Sequence, residues 1–139
     1  MGYTHYIRGP RVITPALVKD VEDILTVAKV LGIEIAGWDG TGKPVVSTTG
    51  IRLNGSSKDD NDHETLVIDP EESGFAFCKT ARKPYDAVVC AILIRTAELN
   101  PGLEISSDGE WDAEDEWSVG KALYTTALGH MPKLKGLAQ

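Results

Sequence analysis

The chain has 139 residues, 42% of them hydrophobic and 25% charged, with a formal net charge of −7. That length suits one domain with a real core, and no apolar run approaches the roughly 20 residues of a membrane span. The acidity disfavours a general nucleic-acid binder, and the first residues lack the charged-then-apolar pattern of a leader, so a cytoplasmic protein is expected.

Tyr3 to Arg8 reads as a first strand, rich in β-favouring residues. Thr14-Pro15 is a helix start, an N-cap followed by proline at the first helical position. From there Leu17, Val21, Ile24, Ala28 and their neighbours form one apolar stripe that Gly32 closes. Glu34 to Trp38 is extended, Asp39 to Gly42 is a hairpin turn, and Val45–Ser47 and Ile51–Leu53 are strands. The polar run Asn54 to Asp62 is a loop. Glu64–Ile68 and Gly74–Lys79 return to strand, and a helix is expected over Pro84–Leu99, stopped by Asn100-Pro101-Gly102. This helix is apolar on most faces and should be the most buried. Leu103–Ser106 is a further strand, ending at Ser107-Asp108-Gly109. A last helix is expected from the acids at Asp112–Asp115 to Gly129, with Trp117 in the core.

The order β-α-β-β-β-β-β-α-β-α predicts an α+β fold in a single domain over 1–129. It should hold a mainly antiparallel sheet of four to six strands, three helices packed on one face, and a tail at 130–139. Cys78 and Cys90 fall in apolar surroundings and read as reduced core thiols. Neither cysteine belongs to a zinc spacing, and the acids at 59–64 lack the register of a calcium loop, so no metal and no cofactor are expected.

Charge is unevenly placed. Residues 59–72 hold seven acids and no Lys or Arg, residues 104–116 hold another seven, and the remainder is net basic. Lys79, Arg82 and Lys83 gather at the strand-to-helix junction, where free N–H groups and the helix dipole favour an anion. With Thr80 they could hold a phosphate or carboxylate, although pairing with the acids of 104–116 would leave only a solvated network. Tyr85 beside the cations, and Tyr3 or Tyr6, are candidates to stack a base. Asn54, Ser107 and Asp108 are candidates to read polar edges. His5, on a short strand, reads first as a half-buried structural histidine. In an enzyme His5 or His63 would be the general base, assisted by Glu64 or Asp108. The GxSxG context that would make Ser107 a nucleophile is missing.

Several of these segments together are familiar. Gly2-Tyr3-Thr4-His5-Tyr6, Leu53-Asn54-Gly55, His63-Glu64-Thr65, Phe77 to Asp86 (FCKTARKPYD) and Ser106 to Gly109 resemble a group of small uncharacterised proteins of bacteriophages and bacteria. The likeness spans about residues 2–128 and implies context without a reaction. In that context the expected function is binding of an anionic small molecule, with a nucleotide signal of host defence as the candidate to be sequestered. An enzyme acting on a nucleotide or phosphorylated substrate is one alternative. The other is a protein-binding inhibitor of a host factor, working through the acidic 104–116 segment. Open sheet edges leave room for a homo-oligomer.

Overall fold

The chain's apolar periodicities become two antiparallel sheets and a helical layer. The computed structural model describes residues 2–138. Strand β1 (Thr4–Arg8) is the middle of a three-stranded sheet, between β6 (Ala76–Lys79) and β7 (Glu104–Ser107). In the second sheet β4 (Gly50–Gly55) pairs with β2 (Ile35–Ala36), β3 (Val45–Ser47) and β5 (Leu66–Ile68). The chain just ahead of β5 runs beside β6, where Glu64 N donates to Lys79 O at 3.1 Å. Every pairing is antiparallel.

Helix α1 (Pro15–Val30) begins where expected: Thr14 Oγ1 accepts from Leu17 N at 3.2 Å, and Pro15 occupies the first turn. Its stripe of Leu17, Val21, Ile24 and Ala28 is wholly buried. Each of the larger three stabilises the fold by about 1.5–3 kcal/mol through area removed from water. Helix α2 (Asp86–Leu99) is buried on nearly every side, between α1, α3 (Trp117–Leu128) and the three-stranded sheet. The result is an α+β domain with three helices on one face of the sheets.

Several boundaries differ from those expected. The seven strands of the expected order are all found among the described residues, divided between a sheet of three and a sheet of four. Helix α2 starts at Asp86, because Lys83-Pro84-Tyr85-Asp86 first closes a turn through Asp86 N and Lys83 O at 2.9 Å. Helix α3 starts at Trp117, because Glu116 has φ −122 and ψ −117, outside the helical region. Residues 112–116 are therefore turns, despite acids that suit a helix N-terminus.

The segment after Gly129 is docked. Glu98 Oε2 accepts from Lys133 N and Leu134 N, at 2.5 and 2.9 Å, and Ala138 N donates to Ile105 O at 2.7 Å. Glu98 Oε1 takes the Tyr124 hydroxyl and Arg95. Burial alone would raise the Glu98 pKa, but these donors outweigh it and hold the carboxyl below its ordinary range. A depressed carboxyl pKa contributes stability that is present above the unfolded value and lost as pH falls through the folded one. Acidification below about pH 4.3 should therefore free the tail. Hydrogen exchange at Leu134 should accelerate there, earlier than at the core amides; equal protection of both down to global unfolding would refute the anchor.

Gly120 sets the spacing of α2 and α3. A Cβ built there would lie 2.4 Å from the Cβ of Cys90, so the helices could not keep this approach. Gly120→Ala should lose about 1–3 kcal/mol to overpacking, more than the roughly 1 kcal/mol of helix propensity it gains. Urea unfolding of the variant checks this, and a midpoint at or above wild type would count against the packing.

Candidate functional site

Alternation along β1 sends Tyr3, His5 and Ile7 toward the helices and Tyr6 and Arg8 to the other face. His5 thus meets the first turn of α2 from below. Its Nε2 lies 2.6 Å from Asp86 Oδ1, and its Nδ1 lies 2.8 Å from Ser107 Oγ on the neighbouring strand. Thr80 Oγ1 donates to the same Asp86 oxygen at 2.5 Å. Ser107 Oγ also accepts from Gly109 N at 2.8 Å and Trp117 Nε1 at 3.0 Å.

These contacts fix the proton positions. Two N–H groups occupy the acceptor capacity of Ser107 Oγ, so its own hydrogen points to His5 Nδ1. The imidazole is then neutral with its proton on Nε2, donated to Asp86. A relay Ser107–His5–Asp86 results, with Thr80 as a second donor to the carboxylate. His5, Thr80 and Asp86 are all buried.

Cys90, one turn beyond Asp86, places Sγ 3.6 Å from His5 Nε2 and 3.7 Å from Asp86 Oδ2. Burial pushes its thiol pKa well up, and Asp86 adds to this; burial likewise raises Cys78 to about 12. Both cysteines are free thiols and neither is an activated nucleophile. His5, Asp86 and Cys90 are also of metal-ligand type and lie within 4.8 Å of one another. The 2.6 Å contact between His5 and Asp86 is that of a hydrogen bond, leaving no room for an ion between those two atoms.

Beside the relay is a group without a partner. The Tyr3 hydroxyl is buried, in a residue only 4% exposed, and makes no hydrogen bond among the described residues. Burial first, and Asp86 second, hold this phenol far above its ordinary pKa, so it keeps its proton. Gly109 admits it, since a Cβ there would fall 2.0 Å from the Tyr3 oxygen. Arg82 lies over the Tyr3 ring, 4.0 Å from its centroid, and pairs with Glu116 at 2.8 Å. The loop that carries it is strained: Ala81 and Arg82 have φ of 54° and 60°. Thr80 N and Ala81 N both donate to Tyr3 O, which ties this loop to the start of β1.

The expected residues divide into three groups. Tyr3, His5, Thr80, Arg82 and Ser107 converge on this corner, whereas Lys79 pairs with Thr4 across the strands and faces the other side of the sheet, its Cε 2.8 Å from where a Gly2 Cβ would stand. Tyr6 and Asp108 lie on the opposite face of the sheet, joined to each other at 2.9 Å. Lys83 points elsewhere, to Asp60 Oδ2 at 3.4 Å and its carbonyl at 2.7 Å. The three cations therefore do not share one pocket.

Three expectations need correction. Tyr85 is fully buried, with its hydroxyl on Glu64 O at 2.6 Å, so it cannot stack a base. Asn54 is buried as well, and all its polar atoms tie backbone at Trp38, Gly55 and His63. The adjacent His63 and Glu64 do not form an acid–base pair: Glu64 Oε1 accepts from Lys79 N at 2.8 Å, whereas His63 is exposed.

Sequence reasoning missed Asp86 as the hub and gave Trp117 only a core role. A signal for Asp86 was present, since a helix apolar on every side must bury any acid it carries, and a buried acid requires donors. No family model, no curated protein and no solved structure matches this chain.

Replacing Asp86 by Ala should leave His5 Nε2–H and Thr80 Oγ1–H buried without acceptors. At about 1–3 kcal/mol per abandoned group, a loss near 3 kcal/mol is expected. Denaturant titration measures it, and a loss below about 1 kcal/mol would mean the hub does not carry the network.

Proposed function

We propose that the protein binds an anionic small molecule, with a nucleotide as the first candidate, at the corner of Arg82, Tyr3 and Gly109. One observation carries this reading. A loop with two successive left-handed non-glycine residues, each costing about 1–2 kcal/mol, holds Arg82 over a tyrosine whose buried hydroxyl has no partner. A turn needed only for connection would ordinarily use glycine at such positions. A buried donor left unpaired calls for an acceptor. An anion exchanging with Glu116 on Arg82 would supply one, taking the guanidinium and the Tyr3 hydroxyl together. Sequestration needs no more than this, and the resemblance noted above makes a host-defence nucleotide a reasonable first ligand to try.

Catalysis is the second reading, favoured by the relay. Once Gly109 N or Trp117 Nε1 released a lone pair of Ser107 Oγ, the hydroxyl could attack a phosphoryl centre, its proton passing to His5 Nδ1 and on to the group that departs as its bond to phosphorus breaks. Residues of both readings adjoin, so one experiment can address the two.

The test is a thermal-shift screen of mono-, di- and cyclic nucleotides, with inorganic phosphate alongside. A ligand at 100 times its Kd should stabilise by about 2.7 kcal/mol. Arg82→Ala and Tyr3→Phe should abolish the shift, and Lys83→Ala should leave it. A shift that survives Arg82→Ala would move the site elsewhere. Recovery of the ligand unchanged supports binding; an altered product that depends on Ser107 and His5 supports the enzyme.

A further inference from the structure

The helices cover one side of both sheets, and among the described residues no helix lies on the other side, where only Ala138 of the tail borders the surface. An open antiparallel face normally alternates to polar residues. This one does not: Phe75 and Phe77 are 53% and 54% exposed, Trp38 is 67% exposed, and Val67 and Tyr6 accompany them. Tyr6 and Phe75 stack at 5.9 Å, and Phe75 and Phe77 lie 6.1 Å apart. Three adjoining clefts run across the face, of about 180, 280 and 420 Å³. The first two share Phe75, and the last two share Thr65 and Val67, so they form one track. A contiguous apolar track of this kind marks an interaction surface.

Its charges indicate the occupant. Lys79, Arg8 and Arg52 stand on or beside the track and Arg11 is buried beneath it, while Asp108, Glu104, Asp69 and Glu72 are the acids along it. With Arg11 counted, a face with equal numbers of each sign contrasts with a chain of net charge −7. Two copies would repel elsewhere, and here they would not. Two charges flank β1 at one level: Lys79 is on β6 opposite Thr4, and Asp108, directly after β7, lies on the other side of the same residue. A two-fold axis along β1 would therefore set Lys79 of each copy over Asp108 of the other, with Tyr6 at the centre. Four acids along the track disfavour a phosphate backbone.

We infer that this bare face is a self-association surface, through which the chain pairs with a second copy of itself. The inference is independent of the anion site, which lies on the helical side of β1. Sedimentation velocity of the full chain across a concentration series should show a species of twice 15.0 kDa. Phe77→Asp and Val67→Lys should each weaken association at least tenfold while the circular dichroism stays native. Val119→Asp, on the exposed side of α3, should leave the dimer intact. A chain monomeric at every concentration would overturn the proposal, as would a dimer indifferent to Phe77→Asp. Monomers that bind a single-stranded oligonucleotide through Phe77 would also overturn it, and would assign the face to nucleic acid.

Discussion

Asp86 begins α2 inside the molecule, where a carboxylate loses its hydration and must find donors in the protein. His5 supplies one from β1 and Thr80 another from the loop after β6, and through His5 the contact extends to Ser107 on β7. All three strands of one sheet are thus joined to the helical layer through a single charged group. Apolar contacts around it hold the layers together with more total energy but little direction. The hydrogen bonds fix how α2 is rotated and how far it slides along the sheet. Ser107 in turn fixes Trp117, the first residue of α3, so both buried helices start from the same polar set.

That arrangement explains why the candidate site lies where it does. Tyr3 precedes His5 by two residues and shares its face, so the register that satisfies His5 also carries the Tyr3 hydroxyl inward. The loop after β6 must deliver Thr80 to Asp86 and then turn sharply into α2, and Ala81 and Arg82 take up the left-handed backbone that this requires. Strain, an unpaired donor and an arginine are concentrated within a few residues of one carboxylate. Each has a local cause, and together they make the part of the protein best suited to a ligand.

Local signals told much of the fold in advance. The Thr14-Pro15 start of α1, its stripe and its glycine end are all decided between residues 14 and 32 and need no tertiary information. The all-round apolar character of α2 announced its burial in the same way. The start of α3 was misjudged because acids at 112–116 satisfy a dipole rule, whereas the backbone there is set by contacts such as Arg82 with Glu116 and Lys121 with Asp112. At the site, period-two alternation could place His5 and Tyr3 on one face, but nothing local could say which helix they would meet. The cation cluster misled for a related reason: adjacency in sequence put Lys79, Arg82 and Lys83 together, and the turn at Thr80–Lys83 aimed them in different directions. Tyr85 is drawn into the site by the same proximity and Asn54 by its polar side chain, and both are used up inside the fold.

The left-handed pair at Ala81 and Arg82 has a further consequence for which sequences this fold can tolerate. Both positions face solvent at least in part, so a survey by exposure would class them as freely variable. Their backbone makes them selective instead: glycine, asparagine or aspartate would sit there with little objection, whereas valine or isoleucine would force the connection to rebuild. Variation at this surface is therefore filtered by chain geometry, and a partly exposed bend is less permissive than its exposure suggests.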